Sequence, residues 1–62
     1  MDNLMTTKDV SQLLRLSTKS VRALVAAGDL PAIRIGRGAI RYDREAIRQW
    51  LDRQAVQQEQ RP

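Results

Sequence analysis

The chain has 62 residues, with eleven lysines and arginines, seven aspartates and glutamates, and neither cysteine nor histidine. These numbers allow one small domain and exclude both disulfide bonds and metal sites built on cysteine or histidine, so a single apolar core must hold the fold. No apolar run approaches the roughly 18 residues of a membrane span, and no secretory signal is recognised, so a cytoplasmic protein without membrane contact is expected.

The first half of the chain predicts two short helices joined by a brief turn. Thr6 or Thr7 can cap the first helix, and Ser17 can cap the second. Gly28 is suited to end the second helix, and Pro31 prevents the helix from resuming. In both helices apolar residues recur at i, i+3 and i+4, which predicts one buried stripe each. The stripes are Val10, Leu13 and Leu14 in the first helix and Val21, Leu24 and Val25 in the second.

Residues 32–35 and 40–42 each show a period of two in their side chains, and the segment between them reads as a turn, which predicts a β-hairpin. A four-residue turn at 36–39 would set Arg34 directly opposite Arg41, and two like charges in that arrangement destabilise a hairpin. Arg37 lies at the tip between two glycines. A phosphate or a narrow minor groove would relieve the repulsion, so the hairpin is predicted to be a DNA-gripping wing. A solvated charge cluster is the alternative.

A third helix and the domain boundaries complete the prediction. Asp43 can cap this helix, and its apolar stripe is Ile47, Trp50 and Leu51. The order of helix, helix, hairpin and helix predicts a mainly α fold with a small β-hairpin, the winged helix-turn-helix. The domain is predicted to span residues 6–53, after an N-terminal arm at 1–5 and before a polar, flexible tail at 54–62.

The distribution of charge favours DNA as the partner. Between Arg15 and Arg48 eight basic residues are opposed by only three acidic ones, and such a basic domain is typical of nucleic-acid binding. The second of two helices joined by about three residues enters the major groove in helix-turn-helix proteins. The predicted major-groove contacts are Thr18, Lys19, Ser20, Arg22, Ala23 and Ala26, and the predicted wing contacts are Arg34, Arg37 and Arg41. Taken alone, the net charge also fits a solvated surface, and the second helix also fits an ordinary amphipathic helix.

The sequence offers no basis for catalysis. Histidine and cysteine are missing, and no serine has a recognisable base beside it. The segment Gly36-Arg37-Gly38 is not a phosphate-binding loop of an NTPase, because no helix with the required lysine follows it. We therefore expect a protein that is not an enzyme and needs no cofactor.

Residues between positions 5 and 52 carry a resemblance to a known family. They are the run from Gly28 to Arg37 (Gly-Asp-Leu-Pro-Ala-Ile-Arg-Ile-Gly-Arg), with Thr7-Lys8-Asp9-Val10, Leu13-Leu14, Leu16-Ser17, Ser20-Val21, Arg41 and Trp50-Leu51. This pattern resembles the excisionase family of winged helix-turn-helix proteins, which are relatives of the MerR-type DNA-binding domain. The resemblance implies that residues 18–26 form the major-groove helix and residues 33–42 the wing.

One residue departs from the family pattern. Family members often carry glycine in the turn between the first two helices, where this chain has Arg15. An arginine would be strained if that position required a positive φ. The turn is therefore expected to take another shape here.

The resemblance implies an architectural role on double-stranded DNA. Excisionases are recombination directionality factors of mobile elements, which bind neighbouring sites, bend DNA and recruit a tyrosine recombinase. The expected partners are DNA, further copies of the protein and such an integrase, all on the nucleoid. A small phage or plasmid transcription regulator built on the same domain is the alternative, and nothing in the sequence separates the two. A third alternative is a protein-interaction adaptor or a fragment of a packaging protein, whose basic face binds no specific DNA.

Overall fold

The computed structural model describes the backbone of residues 4–59 and the side chains of residues 4–55. The elements in chain order are β1 (Leu4–Met5), α1 (Thr7–Leu14), α2 (Thr18–Ala26), β2 (Ile33–Ile35), β3 (Ala39–Asp43) and α3 (Arg44–Glu59). Three helices and one small antiparallel hairpin make a mainly α fold. The predicted fold class, a winged helix-turn-helix, is confirmed.

Short polar side chains begin the helices where the sequence predicts. Thr6 caps α1 in a capping box: the backbone N–H of Asp9 donates to Thr6 Oγ1 at 3.1 Å, and the backbone N–H of Thr6 donates to Asp9 Oδ2 at 3.0 Å. Ser17 caps α2 by accepting a 3.1 Å hydrogen bond from the backbone N–H of Ser20. Asp43 accepts a 3.1 Å hydrogen bond from the backbone N–H of Ala46 and so caps α3.

The turn between α1 and α2 contains a left-handed arginine. Arg15 has φ 60° and ψ 42°, and it is the one non-glycine residue with positive φ among those described. The expectation that the turn takes another shape is therefore wrong. The backbone N–H groups of Arg15 and Leu16 both donate to the carbonyl of Ser11, which ends α1 and fixes this conformation. An L-residue other than glycine or asparagine costs roughly 1–2 kcal/mol there.

The turn that ends α2 places Leu30, a residue of the following loop, in the core. Gly28 takes φ 81°, and its backbone N–H donates to the carbonyl of Val25 at 3.0 Å. The N–H of Asp29 donates to the carbonyl of Leu24 at the same distance, so the carbonyls of Leu24 and Val25 in the last turn of the helix are satisfied. This reversal buries Leu30, which is 3% exposed.

The sheet has three strands in the order β1-β3-β2, and its hairpin register differs from the predicted one. Residue pairs are Ile33 with Arg41, Arg34 with Ile40, and Ile35 with Ala39, which leaves a three-residue loop. Opposed residues share a face of the sheet. The predicted pairing of Arg34 with Arg41 is therefore wrong: the two arginines lie on opposite faces, and the direct repulsion invoked from the sequence does not exist.

The strand β1 was not predicted. Leu4 pairs with Asp43, and Met5 pairs with Tyr42. Met5 is buried beside Tyr42, so the end of the segment predicted as an arm is part of the core. Residues 1–3 of that arm lie outside the described residues.

The core lies where α1, α2, α3 and the sheet meet. Its buried members are Met5, Val10, Val21, Leu30, Tyr42 and Ile47, and its half-buried ones include Leu14, Leu24, Val25, Ile40, Trp50 and Leu51. Tyr42 also shares a 3.1 Å hydrogen bond between its hydroxyl and Thr7 Oγ1, which joins β3 to the first turn of α1. The three predicted apolar stripes thus converge, although Leu13 remains 48% exposed.

The third helix is longer than expected. The sequence predicts that the folded part ends at residue 53, whereas α3 runs on to Glu59. The first part of the predicted tail is therefore helical, and residues 60–62 lie outside the described residues. The flexibility of this tail stays a prediction.

Candidate nucleic-acid interface

The outer face of α2 brings the predicted major-groove residues together. Val21 is fully buried and fixes which side of the helix faces the core. On the opposite side Lys19, Ser20, Arg22, Ala23 and Ala26 are exposed, whereas Thr18 is half-buried. The spacing of positions 19, 22, 23 and 26 is i, i+3, i+4 and i+7, so they form one continuous stripe. Two cations and two small side chains on such a stripe let a helix approach base edges closely.

The first turn of α2 is held by a pair of serines. Ser17 Oγ donates to Ser20 Oγ at 3.1 Å while it accepts from the Ser20 backbone. The hydroxyl hydrogen of Ser20 is not used in this pair, so Ser20 can donate to an external acceptor such as a phosphate oxygen.

The hairpin presents its three arginines in different settings. Arg34 and Arg37 are exposed, and Arg37 lies in the loop between two glycines. Arg41 is half-buried, and its Nη1 donates to the carbonyl of Ile40 at 2.9 Å. The structure brings these residues onto one ribbon, as predicted, but not onto one face of it.

The basic side chains of α2 and the hairpin keep their charge unneutralised. Within residues 4–55 the one ion pair joins Arg48 to Glu45 on α3 at 3.6 Å. None of the acidic groups described lies within ion-pair distance of the five cations on α2 and the hairpin. An uncompensated positive surface of this kind attracts the phosphate backbone and makes binding depend on salt.

A comparison with known families decides the class of the protein. A family model described as a helix-turn-helix domain matches residues 4–55, which is most of the chain. The chain belongs to this helix-turn-helix family. No curated protein and no solved structure matches it.

This helix-turn-helix protein is accordingly a DNA-binding protein. In such domains the second helix is the recognition helix, and the first helix crosses the DNA backbone. By position in the chain α2 corresponds to the recognition helix of such domains, and the hairpin corresponds to the wing. Which side chains touch DNA stays a prediction for all nine residues named from the sequence.

The sequence analysis did not predict that two isoleucines on the hairpin of the helix-turn-helix domain are exposed. Ile33 is 42% exposed and Ile35 is 43% exposed, and both share a face with Arg41 because Ile33 pairs with it. The four-residue turn assumed from the sequence placed both isoleucines on the face of Ile40, which packs on the core. The signal that could have found them is the Gly36-Arg37-Gly38 triplet, which fits a three-residue loop as well.

Among residues 4–55 there is no group of three or more potential metal ligands. Shallow apolar hollows lie between α1 and α3, lined by Leu13, Leu14, Leu16, Trp50 and Leu51 with Arg44, Arg48 and Gln54. None of the described helices is long and apolar enough to cross a membrane.

Proposed function

We propose that this protein is an architectural DNA-binding factor, an excisionase that bends attachment-site DNA and directs a tyrosine recombinase toward excision. In this role α2 enters the major groove and the wing contacts the adjacent backbone and minor groove. The protein works on the nucleoid by binding alone and catalyses no reaction. Further copies of itself and the recombinase are its protein partners on DNA.

The exposed apolar pair on the wing is the observation that carries the architectural part of this proposal. Proteins that bend DNA from the minor groove insert apolar side chains between base steps, with cations beside them. Ile33 and Ile35 are β-branched, nearly half exposed and on the same strand face as Arg41. The two isoleucines lie side by side on one strand face and form a small exposed apolar patch, which is available for a contact outside the chain. The excisionase role itself rests on the resemblance of the sequence to that family.

A bending assay tests the architectural role. Wild-type protein is titrated onto a duplex of the attachment site that carries a fluorescent donor and acceptor at its ends, and energy transfer reports the bend. Ile33→Ser with Ile35→Ser should retain most of the affinity and reduce the bend. Leu13→Ser is the matched control, because Leu13 is equally exposed but lies on α1. Wild-type binding without bending would contradict the architectural role.

A footprint tests the biological assignment. The protein is footprinted on the attachment site and on the promoters of the element that encodes it. Protection of the attachment site, together with stimulated excision by the recombinase in vitro, is the expected outcome. Protection confined to a promoter, with altered transcription and unchanged excision, would identify a transcription regulator instead.

A further inference from the structure

The turn between α1 and α2 contains an arginine in a backbone conformation that is unfavourable for residues with a Cβ atom. Arg15 is the one described non-glycine residue with positive φ, and its φ of 60° and ψ of 42° lie in the left-handed region. Glycine adopts this region freely, and asparagine tolerates it, whereas the Cβ of an arginine meets the following carbonyl oxygen. Such outliers cluster at functional sites, so the place of this one calls for an explanation.

Among the residues described, the side chain of Arg15 makes no contact that would compensate the strain of its backbone. The hydrogen bond that Arg15 makes is donated by its backbone N–H to the carbonyl of Ser11, and a glycine would make the same bond. Its side chain is exposed, and among the residues described it forms neither an ion pair nor a hydrogen bond. The guanidinium is therefore available to a partner outside the chain.

The position of Arg15 indicates which partner. It lies two residues before Ser17, the N-cap of the recognition helix, and it follows α1 directly. Because the first helix crosses the DNA backbone while the second enters the major groove, the turn between them comes near the phosphates at the groove edge. A guanidinium binds a phosphate through two parallel hydrogen bonds, which is its most favourable recognition geometry.

We propose that Arg15 binds a backbone phosphate at the edge of the major groove that α2 enters. The strain in the turn is then the cost of a cation at a position where glycine would make the fold more stable. This inference rests on the DNA binding of the domain, and it is independent of whether the protein acts as an excisionase or as a regulator.

The test measures stability and DNA binding in the same set of variants. The probe is a fluorescent 20-base-pair duplex of random sequence, titrated between 50 and 200 mM NaCl, and unfolding is followed by circular dichroism. Arg15→Gly should raise the Tm, because it relieves the strain, yet bind the duplex about tenfold more weakly. The slope of log K against log salt should become shallower by about 0.9, the value for one lost phosphate contact. A merely structural residue would not move stability and binding in opposite directions.

Two further variants separate charge from backbone freedom. Arg15→Gln keeps the strained backbone and removes only the charge, so it should show the same shallower slope without the gain in Tm. Arg15→Lys should retain the wild-type slope. Arg53→Gln, on α3, is the control for a simple change of net charge and should leave the slope nearly unchanged.

The outcomes are distinguishable. Wild-type slopes for both Arg15→Gly and Arg15→Gln would overturn the proposal and leave the strain without a function. An equal loss of slope in Arg53→Gln would also overturn it, because the effect would then belong to net charge. Failure of the wild-type protein to bind the duplex would instead refute DNA binding itself.

Discussion

The arginines of the wing differ in their exposure and in their hydrogen bonds. Arg34 is exposed and has no partner among the residues described, whereas the guanidinium of Arg41 already donates to the carbonyl of Ile40. A hydrogen bond to a neutral carbonyl leaves the positive charge in place, so both residues remain able to bind phosphate. Because they lie on opposite faces of the hairpin, we expect them to contact two phosphates on different sides of the wing and not one shared phosphate.

We therefore expect Arg34→Ala and Arg41→Ala each to weaken binding to duplexes of any sequence. Each lost phosphate contact should make the slope of log K against log salt shallower by about 0.9. The measurement is a salt series on random and specific duplexes, with Arg53→Ala as the control for net charge. An unchanged slope in both variants would remove the wing arginines from the interface.

The exposed stripe of α2 should carry sequence preference. Replacing Arg22 or Lys19 with alanine is expected to cost about 1–3 kcal/mol on the specific site, if each side chain reaches a base edge, and much less on random DNA. Arg22 is the stronger candidate, because Lys19 stands near the start of the helix and can meet the backbone instead. Competition binding with specific and random duplexes measures the difference. Equal losses on both would reclassify the residue as a phosphate contact.

The carboxyl group of Asp9 makes the stability of the protein depend on pH. The backbone N–H of Thr6 donates to the carboxylate of Asp9 and is the main cause that holds the pKa of Asp9 below its ordinary value of 3.8, and the side chain of Thr6 lowers this pKa further. A depressed pKa in the folded state adds stability that is present above the unfolded pKa and lost as the pH falls through the folded one. Asp9→Asn should therefore destabilise the protein at pH 7 in urea unfolding. The gap to wild type should close below pH 3.8, and a gap that stays constant into acid would contradict this.

At the scale of elements, the helix starts were the most predictable features. Thr6, Ser17 and Asp43 all cap as expected, because a cap depends on one side chain and the backbone three residues away. The sequence analysis ended the folded part at residue 53 because the residues after it are polar. A polar composition predicts that a segment is exposed, but an exposed segment can still be helical, as α3 is up to Glu59. Two-residue β1 has no periodicity to detect, and only pairing with β3 makes it a strand.

The hairpin shows why part of the site could not be predicted. The side-chain period of a strand is two, so an error of one residue in the turn exchanges the two faces of the hairpin. The sequence located the wing and its arginines, but a four-residue turn put Arg34 opposite Arg41 and the isoleucines toward the core. The exposed face of α2 was predictable, because the apolar residues around Val21 define the buried face of the helix. This assignment does not depend on the register of a neighbouring strand.

The two glycines of the wing provide a test of this register. Gly36 has φ 63° whereas Gly38 has no positive φ, and a Cβ added to either would meet no atom within 4 Å. Gly36→Ala should therefore destabilise the protein by roughly 1–2 kcal/mol through backbone strain. Gly38→Ala, the matched control, should be neutral or slightly stabilising. Thermal unfolding measures both, and a larger cost for Gly38→Ala would refute the three-residue loop.

At the scale of the whole molecule, a small interface must be reconciled with specificity. A single module of this kind buries only about 600–1,000 Å² of protein surface on DNA, which is too little for tight and specific occupancy by one copy. The apolar stripes of α1, α2 and α3 are short and converge on one core. Leu13 is 48% exposed, but the other members of these stripes are buried or half-buried, so no complete stripe is free to build a dimer among the residues that the structure describes. For sequence-specific binding we therefore expect the additional affinity to come from neighbouring copies or from a recombinase on the DNA.

The protein is therefore expected to be a monomer in solution and to bind closely spaced repeats cooperatively, with two or more copies. Titration of DNA with one site against DNA with the natural array measures the cooperativity, and sedimentation measures the free state. The same titration with a chain truncated after Ala55 keeps every residue that the family model matches and removes the end of α3. Loss of cooperativity in the truncated chain would assign copy-to-copy contacts to that end, and retention would assign them to the wing and the body of the domain. Tight binding of a lone copy to a lone site, or a stable dimer without DNA, would contradict the prediction, because either would make neighbouring copies unnecessary.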